Sequence, residues 1–236
     1  MDTLSKELRD FLINKGAALC GFGDLSGIVD GDLRCGVSVA VALPPDVLQS
    51  IADGPSRIYF DAYHSINAKL DELVSAGADF LTERGYRAHA QTRANVKEHD
   101  RYRTDLPHKT VATRAGLGWI GKSALLVTRE FGPAIRLSSF LTDAPLSTGK
   151  PIDRSRCGNC TACMDRCPGK AISGKNWDVS MDRDEFFDAA ACRKAARALS
   201  KKLLDEEISL CGQCIVACPH TRRYMQHFAG NRQDVL

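Results

Sequence analysis

The chain has 236 residues, 44% of them hydrophobic and 26% charged, with a formal net charge of +3 and a pI of about 8.3. That suffices for one large domain or two small ones with a real core, and charge this mild neither demands nor excludes a nucleic-acid partner. No run of about 18 apolar residues occurs, and MDTLSKELRDFL has neither an apolar signal core nor a twin arginine, so a soluble, cytoplasmic protein with no membrane contact is expected.

The first predicted element is a helix over DTLSKELRDFLINKG. Leu4, Leu8, Phe11 and Leu12 share a face, Asp2 or Thr3 caps the start, and Gly16 stands at the C-terminal cap. GVSVAVALPP reads as a buried strand stopped by Pro44 and Pro45. From Arg57 to Arg84 a long helical pattern carries Tyr63, Ile66, Leu70, Leu73 and Val74, is weakened at Gly77 and ends at Gly85. YRAHAQT (86–92) reads as a short strand and HKTVATRA as a helix leading into a glycine loop. SALLVTREFG and AIRLSSFLTD read as paired strands turning at Gly132-Pro133. Residues 1–146 are thus expected to form an α+β domain.

LSTGKPIDRSR is the expected linker, and residues 147–236 form the second domain. There SMDRDEFFDAAACRKAARALSKKLLDEE reads as a helix, with Asp182 and Glu185 matching a capping box. The tail TRRYMQHFAGNRQDVL is basic and expected to be mobile.

Eight of the ten cysteines fall within residues 157–219. Disulfides are not expected in a reducing compartment, so these cysteines call for metal. CGNCTACMDRCP places Cys157, Cys160, Cys163 and Cys167 at C-x2-C-x2-C-x3-C-P; Cys192 follows, and then CGQCIVACP with Cys211, Cys214 and Cys218. In the bacterial ferredoxin spacing the fourth cysteine of the run serves the other cluster. The spacing therefore assigns Cys157, Cys160, Cys163 and Cys218 to one 4Fe–4S cluster, and Cys167, Cys192, Cys211 and Cys214 to a second. Two structural zinc sites are the alternative; the x2–x2–x3 run followed by proline argues for clusters. Cys20 and Cys35 read as buried thiols outside this set.

AGLGWIGK (115–122) matches G-x-G-x-x-G through Gly116, Gly118 and Gly121. A dinucleotide site needs a strand before these glycines, a helix after them and an acidic residue about 20 positions on. Here the order of elements is reversed. Two readings stay open: a tight turn that packs Trp119 into the core, or a backbone pressed close to a flat or phosphate-bearing cofactor.

HKTVATRAGLGWIGKSALLVTREFGPAIRLSSFLTDAPL, together with CGNCTACMDRCPGKAI and CGQCIVACPH, resembles the epoxyqueuosine reductase family, cobalamin-dependent two-cluster enzymes related to reductive dehalogenases. The resemblance is strongest from about residue 106 to residue 220. It implies a nitroreductase-like cobalamin-binding domain followed by a ferredoxin-like domain whose clusters feed the cobalt. It places Gly116, Gly118, Trp119, Gly121 and Lys122 in or near the cofactor cleft, and it supports the same ligand pairing, Cys192 included. The family carries more chain after the second cysteine motif, including helical repeats that help hold tRNA. This sequence stops at Leu236, which leaves a tRNA partner open.

The family's proton-donating aspartate, counted back without gaps from the glycine loop, falls on Tyr102 here. Asp100 and Asp105 flank it in KEHDRYRTDLPHK, so one of these three is the expected acid; the alternative is a plain solvated loop. His99 and His108 read as surface or structural groups, and His64 as half-buried packing. The expected function is an iron–sulfur, cobalamin-dependent reductase supplied by a low-potential donor such as ferredoxin or flavodoxin, acting on a modified nucleoside or another small molecule. A non-enzymatic electron carrier that docks to a corrinoid or other redox protein, and a flavin-dependent reductase of the same topology, are the alternatives.

Overall fold

A computed structural model describes residues 1–233, with side chains described through residue 227. The chain divides into two compact units, each drawn from three stretches: Met1–Val41, Ser65–Gly118 and Arg136–Asp153 in the first, Ala42–His64, Trp119–Ile135 and Arg154–Leu236 in the second. The boundary expected near 146 falls inside the last stretch of the first unit.

The first unit is a mixed α/β layer. Helix α1 (Thr3–Asn14) starts where Asp2 accepts a hydrogen bond from the Ser5 backbone N–H, and Gly16 follows it at φ 104. Strands β1 (Leu19–Asp24) and β2 (Cys35–Ala42) pair antiparallel in register Leu19↔Ala40 to Asp24↔Cys35. With β3 (Ala88–Ala90) and β6 (Ile135–Thr142) they form one sheet in the order β1-β2-β6-β3. The core under the sheet gathers Leu8 and Leu12 of α1, Phe22 and Val39, Phe140, and Leu73 and Leu81 of the long helix α3 (Arg57–Thr82).

Gly77 does not interrupt α3. A Cβ there would lie 2.6 Å from the Phe140 ring, so the glycine lets helix and sheet close together. Strand β1 was not anticipated because its sequence, LCGFGD, lacks a β-branched run. Cys20 and Phe22 face the core. Gly21 and Gly23 lie flat under helix α4 (His108–Arg114) and the turn beyond it, where a Cβ would meet Leu117 or Ala115 at 2.8 Å.

The second unit carries α2 (Pro45–Ser50), which Pro45 opens at its first turn. The expected pairing of residues 123–132 with 134–143 is not formed. Instead β4 (Trp119–Ile120) and β5 (Leu126–Val127) make a two-strand hairpin of their own, and β6 pairs with β3 in the other sheet. SALLV (123–127) supplies β5 with its last two residues, and its Ser123, Leu125 and Val127 also line the cysteine cavities.

Beyond the linker come α5 (Ala162–Asp165), α6 (Ala189–Leu204) and α7 (Gln213–Ala217), among other elements. The helix expected from residue 180 breaks early. The Asp182–Glu185 capping box closes only a 3-10 turn at Arg183–Glu185, and Asp188 caps α6 afresh through the Ala191 backbone N–H. The expected mobile tail is helical, α8 (Pro219–Gln233). Tyr224 anchors it by stacking edge-on against Phe131 at 5.0 Å and donating to the Leu43 carbonyl at 3.3 Å. Residues 234–236 of that expectation lie outside the described residues. Among the described residues no helix is long and apolar enough to cross a membrane.

Candidate iron–sulfur centres

All eight cysteines of the two motifs and α6 ring two cavities in the second unit. The first, of about 340 Å³, is lined by Cys157, Cys160, Cys163 and Cys218, with Gly121 and Lys122 in its wall. The second, of about 480 Å³, is lined by Cys167, Cys192, Cys211 and Cys214. Cys214 and Ser123 border both. The turn that carries the first three thiols is closed by Cys160 N–H donating to the Cys157 carbonyl at 3.2 Å. Among the described residues no group of three or more His, Cys, Asp or Glu side chains converges on a single-ion site; the thiols surround volume instead.

Local sequence explains how distant cysteines meet. Cys218 sits at the end of α7, before Pro219 opens α8. Cys192 reaches Cys167 because Gly169 lets α6 come close. A Cβ on Gly169 would lie 2.8 Å from the Ala191 carbonyl oxygen and 2.9 Å from the Ala195 Cβ. Gln213, buried between the cysteines of CGQC, ties the motifs: it accepts from Arg166 at 2.7 Å and donates to the Ile51 carbonyl at 2.9 Å.

The electrostatics suit metal-bound thiolates. Burial pushes the thiols of Cys163 and Cys192 up to about 11, with neighbouring cysteines adding to the rise. Cys211, Cys214 and Cys218 are raised by burial as well. Buried thiols raised in this way ionise together only where cations hold them. Donors are already aimed at several of the sulfurs. The Trp119 indole N–H donates to Cys157 Sγ at 3.4 Å, Ala171 N–H donates to Cys167 Sγ at 3.4 Å, and the backbone N–H groups of His220 and Thr221 donate to Cys218. This donor set fits 4Fe–4S clusters, whose potentials depend on such hydrogen bonds.

The glycine loop divides between the units. Gly116, at φ 73, would bring a Cβ to 2.6 Å from the Lys150 carbonyl, and Gly118 is buried after it. A Cβ on Gly121 would meet Val127 at 2.7 Å. Trp119 is 2% exposed and engages Cys157; Lys122 is 4% exposed and donates through Nζ to the Cys160 carbonyl at 2.9 Å. Of the five residues assigned to a corrin, the structure thus sets Gly116 against the Lys150 carbonyl, Trp119 against Cys157, and Gly121 and Lys122 in the wall of the first cysteine cavity.

The acid segment lies elsewhere, on an exposed loop of the first unit. Asp100–Tyr102 form a 3-10 turn in which Arg101 and Tyr102 stand at φ 56 and 58. Asp105 pairs with His99 at 2.9 Å, and Asp100 accepts from the Arg101 backbone N–H at 2.9 Å. Tyr102 is 41% exposed. His108 is structural: burial lowers its pKa to about 4, and Nδ1 bonds Ser139 Oγ at 2.8 Å. His64 is exposed, its ring tilted against that of Phe60 at 4.6 Å, and not half-buried as expected. Burial raises Cys20 to about 12 and Cys35 to about 11, as expected of thiols outside the metal set. His220 was missed, although CPH follows the last cysteine. It packs edge-on against Trp119 at 5.2 Å.

Residues 156–221 match the model of the 4Fe-4S double cluster binding domain, so the site defines a two-cluster iron–sulfur protein. An epoxyqueuosine reductase of Pseudomonas aeruginosa is 32% identical over 205 residues, which cover 83% of this chain and 53% of the relative. That of Lactococcus garvieae is 30% identical over 175 residues, 71% of this chain and 44% of the relative. A crystal structure of epoxyqueuosine reductase with a tRNA-Tyr epoxyqueuosine-modified stem loop superposes with a TM-score of 0.58 at 22% identity, over 93% of this chain and 65% of that one. A catabolic reductive dehalogenase superposes at 0.70 with 19% identity, over 93% and 32%. The chain is similar to epoxyqueuosine reductases over most of its own length. It spans about half the length of the curated relatives it matches.

Proposed function

We propose that the protein is an iron–sulfur, cobalamin-dependent reductase, and that it acts on a modified nucleoside such as epoxyqueuosine. The observation that carries the reading is the gathering of eight cysteines around two adjoining cavities that share Cys214. Cys157, Cys160, Cys163 and Cys218 hold one cluster, and Cys167, Cys192, Cys211 and Cys214 the other, in a ferredoxin-like arrangement; the first unit is of nitroreductase-like topology. The clusters and a corrinoid, when bound, supply electron transfer and reduction, while the protein contributes position and electrostatics. A ferredoxin or flavodoxin is the proposed donor. No step is assigned to the glycine loop.

Tyr102 is the proposed proton donor, its phenolic O–H giving the proton that a reductively cleaved bond requires. Two consecutive non-glycine residues at positive φ support this, since each costs of order 1–3 kcal/mol and such strain clusters at functional sites. Tyr102→Phe should leave iron content unchanged and lower turnover by ~100- to 10,000-fold, with Asp100→Asn and Asp105→Asn doing much less. The reverse pattern moves the task to a carboxylate, and three fully active variants make the segment a surface loop. Anaerobic spectroscopic titration with cobalamin tests the cofactor. Binding is expected; none in any redox state would favour the electron-carrier reading.

A further inference from the structure

Lys122 is buried, and its Nζ donates to a neutral carbonyl, that of Cys160, at 2.9 Å. Among the described residues no ion pair joins it to a carboxylate. A charge buried this deeply is costly unless an anion compensates it. Lys122 also lines the cavity ringed by Cys157, Cys160, Cys163 and Cys218. The four thiolates of a bound cluster outweigh the charge of its iron and sulfide, so the occupant of that cavity is anionic and gains a further negative charge on reduction. The second cavity has no such cation in its lining: Ile172, Phe187, Ala195 and Ala196 form its wall.

We infer that Lys122 is the counter-charge of the first cluster and a positioning residue for electron transfer, setting that cluster's reduction potential above that of the second. The inference rests on the two-cluster reading. A nearby fixed cation favours whichever state carries more negative charge, and it acts most strongly where water is excluded. The indole N–H on Cys157 and the two backbone N–H groups on Cys218 act in the same direction. In the step concerned, the donor loses one electron and the first cluster gains it. No proton or bond changes hands, and the electron comes to rest on the lysine side of the pair.

The test is an anaerobic redox titration of the two-cluster protein followed by electron paramagnetic resonance, with iron and acid-labile sulfide measured on the same samples. Lys122→Met should weaken electron binding at one cluster by roughly tenfold or more, which for one electron is about 59 mV more negative, and leave the other unchanged. Lys122→Gln, which keeps a donor for the Cys160 carbonyl without charge, should behave like Lys122→Met, and Lys122→Arg should restore the wild-type potential. If the uncharged variants lose half their iron while Lys122→Arg keeps it, the counter-charge role stands. Unchanged potentials in Lys122→Gln with full iron, equal shifts at both clusters, or loss of iron in Lys122→Arg as well would overturn the inference. Absence of sulfide in the wild-type protein would instead overturn the two-cluster reading beneath it.

Discussion

The two cysteine cavities present the same number of thiols in different surroundings. The first is walled by the β4–β5 hairpin, with a buried lysine and an indole N–H directed at its ligand loop. The second is walled by α6 and apolar side chains and depends on one glycine to admit its isolated cysteine. Ligand count thus says little about how each centre behaves. One is shaped by charge and hydrogen bonding, the other by close packing.

Loss of a ligand gives the largest effect. Cys163→Ser should abolish the first centre and Cys192→Ser the second, each taking iron from about eight to about four per chain, whereas Cys20→Ser should leave both intact. Equal loss of both centres in either variant would show that they form one cooperative unit and are not separable.

A control outside both cavities has the next effect. Unfolded His108 protonates near its ordinary value of 6.5, but folded His108 only near 4, because burial disfavours the charged ring. Its contribution is complete above pH 6.5 and is lost as pH falls from there to about 4, a change of roughly 3 kcal/mol. His108→Gln cannot titrate and should flatten the stability slope in that window, as measured by denaturant unfolding at stepped pH. An unchanged slope would mean that His108 binds its proton equally well in the folded and unfolded chain, so that burial does not disfavour the charged ring.

Packing at the second cavity gives a smaller effect. Gly169→Ala drives a methyl into the Ala191 carbonyl and should cost about 1–3 kcal/mol, lowering the midpoint for loss of the second centre before the first. Gly158→Ala in the first motif meets nothing within 4 Å and bears only the left-handed backbone at φ 54, about 1–2 kcal/mol. If Gly158→Ala proved the worse of the two, the contrast drawn between charge and packing would be wrong.

Long periodic segments were legible in the sequence: α1, most of α3, and α6 once Asp188 is taken as its start. Strand β1 was not, because its glycines carry no pattern and answer to a helix 90 residues away, as the Arg114 donation to the Asp24 carbonyl shows. The β4–β5 hairpin was too short to read, and its apolar neighbours imitated a longer strand. In the site, cysteine spacing named the ligand types and suggested a partition. AGLGWIGK stood out as a motif, yet nothing local to it indicates that Trp119 and Lys122 reach across 38 positions to Cys157 and Cys160.

The central claim is that eight cysteines hold two cubane clusters. Iron and acid-labile sulfide determination on the anaerobically purified protein tests it most directly. The structure predicts about eight of each per chain; tightly bound zinc without sulfide would contradict it.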